Sequence, residues 1–219
     1  MARDRQAAAT VGVIVYGGVE PIDIGGTVGV ISMASRILPN IASVTIAENP
    51  GPVVLAGGLT IIADEGFATA PPCDVFIVTG GPGWRDQVKD EAMLAFLRTI
   101  APDRLASVCT GALILAAAGV LDGRTITTRR SAVGAEPQAP LALIGTMASG
   151  AVPVAVAIVE DRGIVTGGGV SLAIDATLFL VGRLYGEAAR DEVAAIIEYD
   201  RAFAANRAAL GHLIGRAAP

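Results

Sequence analysis

Two residues of this chain stand where covalent or proton chemistry could be done from fixed positions: Cys109, where an apolar run turns helical, and Asp23, just behind an earlier apolar run. Residues 105–108 read as the end of a buried strand, and Ala112, Leu115, Ala116 and Leu121 fit one face of a following helix. Cys109 therefore occupies a strand-to-helix turn. The first amides of a helix lack internal partners and carry the positive end of its dipole, so a thiol placed there is expected to have a lowered pKa. This is the sulfur counterpart of the nucleophile elbow, in which a sharp turn exposes the reactive atom above a sheet. A structural cysteine is the competing reading, because free cysteine is among the most buried residue types.

The choice of proton carrier is narrow. His212 is the single histidine and lies in a stretch that reads as a terminal surface helix, so Cys–His and Ser–His–Asp schemes have no evident base. A carboxylate is the better candidate. In open α/β sheets ligands collect outside the carboxyl ends of the strands, which would carry Asp23 toward a nucleophile at another strand end. Periodicity alone favours a plainer role for Asp23, capping a helix over residues 28–37. Gly80, Gly81 and Gly83 follow another apolar run, and a glycine pair there permits positive φ and close approach of backbone N–H groups, as an oxyanion-type site needs. A tight turn without a ligand is the alternative, and the spacing is not that of a dinucleotide or phosphate loop. Arg129 and Arg130 either favour a thiolate by charge attraction or are solvated surface residues.

These groups need a sheet to position them. Residues 10–16 (TVGVIVY), 41–47 (IASVTIA) and 74–79 (DVFIVT) are continuous, β-branched and apolar, the signature of strands buried on both faces of a parallel sheet. Residues 53–55 and 59–63 read as a hairpin around Gly57 and Gly58, and 64–73 as loop. Asp90 caps a predicted helix running to Ile100 with Met93, Leu94 and Leu97 inward. Residues 125–128 form a short strand, 131–150 are poorly patterned, and 152–159 with 164–166 suggest a second hairpin. Gly167, Gly168 and Gly169 open a long apolar helix to Tyr185 that contains an odd charge, Asp175. Residues 187–199 and 203–214 read as terminal helices.

Composition bounds the partners. Residues 1–219 are expected to form a single domain, and a hydrophobic content of 53% supports a large core. The net charge of −5, with both signs interspersed, leaves no basic stripe for phosphates, so no nucleic acid is expected. Cys73 and Cys109 belong to no closely spaced set, which points to reduced thiols and no metal site. No apolar stretch reaches the roughly 18 residues of a membrane span, and none resembles a signal peptide. A cytoplasmic protein without membrane attachment is expected.

Taken in order, Asp23-Ile24-Gly25-Gly26, Thr79-Gly80-Gly81-Pro82-Gly83, Ser107-Val108-Cys109-Thr110-Gly111, Thr127-Thr128 and Thr166-Gly167-Gly168-Gly169 with Asp175 resemble the ThiJ/PfpI superfamily, and within it the isonitrile hydratase group. The resemblance spans residues 11–199. It implies an α/β, flavodoxin-like three-layer sandwich, a mostly parallel sheet with helices on both faces and a cysteine nucleophile elbow, and a homodimer. It implies Cys109 as nucleophile, Asp23 as acid and Thr110 as the residue that positions substrate. Gly80, Gly81 and Arg129 would contact the substrate, with Gly81 and the Thr110 amide as oxyanion donors. The implied reaction converts a small-molecule isocyanide to an N-substituted formamide through a cysteine thioimidate, without cofactor or metal. Gly29 stands where the superfamily usually has an acid beside the cysteine, and Arg129 where a histidine usually follows the paired threonines, which counts against protease or deglycase activity. A reversible thiol redox or electrophile sensor, another small-electrophile substrate, and a ligand-binding module are the alternatives.

Overall fold

The computed structural model describes residues 2–215, and its framework is built by the continuous apolar runs. Strand β1 (Ala9–Ile14) feeds a helical stretch made of α1 (Pro21–Ile24), a π-helical turn (Gly25–Gly29) and α2 (Val30–Ala34). The chain returns through β2 (Ile41–Ala47), the hairpin β3 (Gly51–Val54) and β4 (Thr60–Ala63), and the two-residue β5 (Glu65–Gly66). Next come β6 (Val75–Val78), α3 (Trp84–Gln87) and α4 (Glu91–Thr99), the last capped by the Asp90 carboxylate. Strand β7 (Leu105–Ser107) leads into α5 (Gly111–Ala117), followed by β8 (Thr125–Ile126), α6 (Pro140–Met147) and β9 (Val152–Pro153). The remainder is β10 (Ile158–Asp161), β11 (Ile164–Gly167), α7 (Leu172–Tyr185), α8 (Glu187–Ile196), α9 (Asp200–Leu210) and β12 (His212–Ile214).

The main sheet has the order β12-β10-β11-β7-β6-β1-β2-β5. Every neighbouring pair in it is parallel except β10 with β11. Two helix groups flank it: α5 packs with α3, α4 and α6, while α2, α7 and α8 pack together. The centre is a flavodoxin-like three-layer sandwich. Ile14, Ile77, Leu105, Leu113, Ile114 and Leu115 are all less than 2% exposed, and each such aliphatic side chain contributes about 1.5–3 kcal/mol on burial. After β1 the chain moves outward to β2, then crosses back to place β6 on the other side of β1. That reversal is a topological switch point, where the carboxyl ends of neighbouring strands leave a crevice. The segments beyond β1, β6 and β7 all open into it.

Several sequence expectations change here. The first helix starts at Pro21 rather than residue 28, so Asp23 is helical and does not precede the helix. The segment 131–150 contains α6, whose Pro140 occupies the first helical position. Residues 212–214 form a strand beside β10 instead of extending a helix, and Gly211, with φ of 78°, breaks the chain between them. His212 is half-buried against Phe179 and Phe203. Burial, then Arg207 and Arg190, pushes its pKa down to about 4. Asp175 has its explanation in α9 and the residue that precedes it: it is fully buried and accepts from the Tyr199 hydroxyl at 2.9 Å and from Asn206 Nδ2 at 3.1 Å. Both cysteines are free. Among the described residues no helix is long and apolar enough to cross a membrane.

Candidate active site

Between β7 and α5 the chain turns through Cys109, whose φ of 50° lies in the left-handed region. A non-glycine residue there is strained by about 1–3 kcal/mol and persists only when its surroundings hold it. Two bonds do so: the Cys109 N–H donates to the Gly168 carbonyl at 2.9 Å, and its own carbonyl accepts from Thr128 Oγ1 at 2.5 Å. Glycines let the turn sit low on the sheet. A Cβ on Gly111 would stand 2.1 Å from the Val78 carbonyl oxygen, and one on Gly80 would stand 2.5 Å from the Thr110 nitrogen. The elbow inferred from the sequence is therefore present, and its packing explains the glycines on both sides of it.

Asp23 is fully buried. Its side chain does not cap α1; instead Oδ2 accepts the Gly80 N–H at 2.6 Å, while Oδ1 has no hydrogen-bond partner among the described residues. A carboxylate is a poor occupant of such a place. Burial raises its pKa to about 7, against the pull of the Gly80 bond and with a further push from Glu20. The thiol is raised too. Burial and then Asp23 take Cys109 to about 11, opposed by the amides of Val170 and Thr110 and by Arg129. This corrects the expectation of a lowered thiol pKa. The helix amide acts in the expected direction, but desolvation and a neighbouring carboxylate outweigh it. Near neutral pH the sulfur holds its proton and Asp23 is poised between its two forms.

The Asp23 charge raises the pKa of the thiol, whereas a Cβ on Gly29 would meet nothing within 4 Å. Tyr16, which the sequence reading passed over, completes the buried group. Its hydroxyl donates to the Thr79 carbonyl at 2.8 Å, and burial, Asp23 and Cys109 all keep it protonated. Its only sequence signal was its place at the end of an apolar run.

The glycine amides after β6 are already engaged. Gly80 N–H serves Asp23, and Gly81 N–H donates to Thr110 Oγ1 at 2.9 Å. Thr110 thus fixes the glycine loop against the elbow. Above these groups is a cavity of about 650 Å³ lined by Cys109, Thr110 and Gly81 together with Glu20, Ile22, Trp84, Arg129 and Val170. Gly80 and Asp23 lie beneath this lining. Arg129 is only 9% exposed, not solvated, and its guanidinium meets both oxygens of Glu136 at 2.7 Å. Arg130 is exposed. Glu20, Trp84, Glu136 and Val170 are members of the site that no motif marked.

Comparison with known proteins agrees with this geometry. The model of the DJ-1/PfpI family matches residues 9–183. An isonitrile hydratase from Pseudomonas putida is 32% identical over 194 residues, covering 88% of this chain and 79% of that protein. The HTH-type transcriptional regulator GbdR of Pseudomonas aeruginosa is 31% identical over 72% of this chain, which spans 41% of the regulator. Among solved structures, a ThiJ/PfpI family protein from Pseudomonas syringae superposes with a TM-score of 0.75 at 28% identity, covering 89% of this chain and 76% of that one. With the elbow, the switch-point cavity and these matches together, the chain belongs to the DJ-1/PfpI family.

Proposed function

We propose that this protein hydrates an isonitrile to an N-substituted formamide, with Cys109 as nucleophile and Asp23 as proton carrier. One observation carries the reading: a fully buried carboxyl with one oxygen unpartnered among the described residues holds the Gly80 amide of the loop that, with Cys109, forms the floor of the cavity. The terminal carbon of an isonitrile must gain both a proton and a nucleophile. Asp23 takes the thiol proton and delivers it to that carbon, while the Cys109 sulfur bonds to the same carbon, giving a thioimidate, R–N=CH–S–Cys. Water then adds to the carbon while one of its protons passes through Asp23 to the nitrogen, giving R–NH–CH(OH)–S–Cys. The C–S bond breaks, sulfur regains a proton, and R–NH–CHO leaves. Thr110 and the Gly81 loop orient the reacting end. Ile22, Pro82, Trp84 and Val133 on the cavity wall suit an uncharged apolar R group, because the wall's cations are paired with Glu136. No cofactor enters this sequence.

The similarity to isonitrile hydratase supports the same reading. A cytoplasmic homodimer is the assembly we assign with it. A thiol sensor is less well supported, since oxidation favours accessible thiolates and Cys109 is buried with its pKa raised. The test is formamide formation from a simple alkyl isocyanide, followed by mass spectrometry with the parent and Cys109→Ser proteins. Formamide from the parent alone is expected, with a thioimidate mass trapped on Cys109. Equal turnover by both proteins, or none by either, defeats the assignment.

A further inference from the structure

Residues 131–138 form a loop exposed throughout except at Glu136, whose side chain is 12% exposed. The loop closes at its base through the Leu141 N–H, which donates to the Arg129 carbonyl at 3.1 Å, as in compact surface loops whose ends meet. Glu136 Oε1 accepts from Arg129 at 2.7 Å and Arg85 at 3.3 Å; Oε2 accepts from Arg129 at 2.7 Å and from the Val133 N–H at 2.9 Å. One carboxylate therefore joins the loop to a guanidinium on α3 and to another beyond β8. Both guanidiniums line the Cys109 cavity.

Arg129 is seated close to the cysteine by its own neighbours. Thr128 holds the Cys109 carbonyl, and a Cβ on Gly169 would stand 2.6 Å from Arg129 Cγ, so this side chain packs on the loop whose Val170 amide reaches the sulfur. The charged groups that act on the sulfur are Asp23 from α1 and Arg129 from beyond β8, and the sulfur and Asp23 in turn act on Tyr16 from beyond β1. Glu20 and Arg85 line the same cavity. Among these, Arg129 is the cation that favours thiolate, and Glu136 neutralises it.

We infer that Glu136 is a positioning residue for Cys109: by pairing with Arg129 and drawing the 131–138 loop across the cavity, it sets how readily the thiol ionises and how easily it is reached. Burial pushes its own carboxyl up, but the bonds from Arg129, the Val133 N–H and Arg85 hold it below the ordinary range, so the pairing persists across the neutral range. The inference rests on Cys109 as the nucleophile and not on an isonitrile as its substrate.

The experiment is the pH profile of Cys109 alkylation by iodoacetamide, followed by intact mass, which reads the thiol whether or not any isonitrile is turned over. Uncovering the Arg129 charge in Glu136→Gln is expected to lower the alkylation midpoint by about one pH unit, the scale of a nearby charge at an effective dielectric near 20. Adding Arg129→Gln to it removes the pair as a whole and returns the midpoint to the parent value. Arg85→Gln frees only the α3 side, leaving the midpoint in place and raising the plateau rate. An unmoved midpoint in Glu136→Gln, or a shift that survives the second substitution, overturns the inference. Should Glu136→Gln lose its near-UV circular dichroism, Arg129→Gln alone decides: the unpaired Glu136 then raises the midpoint, and an unchanged value is the refuting result.

Discussion

Asp23→Asn should make the protein more stable while removing its proposed chemistry, and the gain should depend on pH. In the parent, the carboxyl titrates at about 7 when folded, against roughly 3.9 in an unfolded chain. The folded form thus binds this proton more tightly, so stability is full below pH ~4 and falls as pH rises through 7. At about 1.4 kcal/mol per pH unit, the loss approaches ~4 kcal/mol once the group is ionised in both states. Asparagine keeps an acceptor for the Gly80 N–H, which Asp23 now binds at 2.6 Å, and stays neutral at every pH. Urea unfolding of both proteins between pH 4 and pH 8 measures the difference directly. The curves should meet near pH 4 and separate by as much as ~4 kcal/mol at pH 8, with formamide formation absent in the variant throughout. A constant offset between the curves would refute the argument, because it would mean the buried carboxylate is not what the fold strains against. Stability sacrificed at a working residue is a common pattern in enzymes.

Thr110→Val removes the acceptor that Gly81 N–H uses, which should cost about 1–3 kcal/mol in thermal unfolding and lower the rate of formamide release more than substrate affinity. An unchanged melting temperature would show that the glycine loop does not depend on this bond. Tyr199→Phe takes one donor from the buried Asp175, leaving Asn206, and should destabilise by about 1–3 kcal/mol. Burial already raises the Asp175 pKa; losing a donor raises it further, so the deficit should be larger at pH 8 than at pH 5. A deficit that shrinks with rising pH would contradict the assignment of Tyr199 as donor to the charged form.

Much of the scaffold could be read from residue order because parallel strands are apolar on both faces: residues 10–16, 41–47 and 74–79 each announce themselves without alternation. Cys109 was legible for a related reason, since the pattern changes from strand to helix on either side of it. What escaped was decided by contacts between distant segments. Nothing local to Asp23 says that Gly80 will turn its amide toward the carboxylate, so capping was the natural reading. The thiol's ionisation was misjudged because a helix terminus is visible in sequence, whereas the desolvation and the charge of Asp23 arise only on folding. Glu136 stood in a segment without periodicity, and its meaning comes from two arginines, one of them far off in the chain. Residues 212–214 looked helical because three residues are too few to show a period of two.

Both margins of the main sheet are short: β5 at one side has two residues and β12 at the other has three. A strand edge recruits other chains through its row of unsatisfied N–H and C=O groups, and the hazard grows with length. Here each margin offers very little ladder to a visiting strand, although Leu213 and Ile214 are exposed. The buried, largely apolar β1 and β6, which would be adhesive segments if uncovered, lie inside the sheet order. Concentrated solutions of the folded protein should therefore resist fibrillar, sheet-extending growth, and aggregation should begin only when the outer strands detach and lay the inner ones bare.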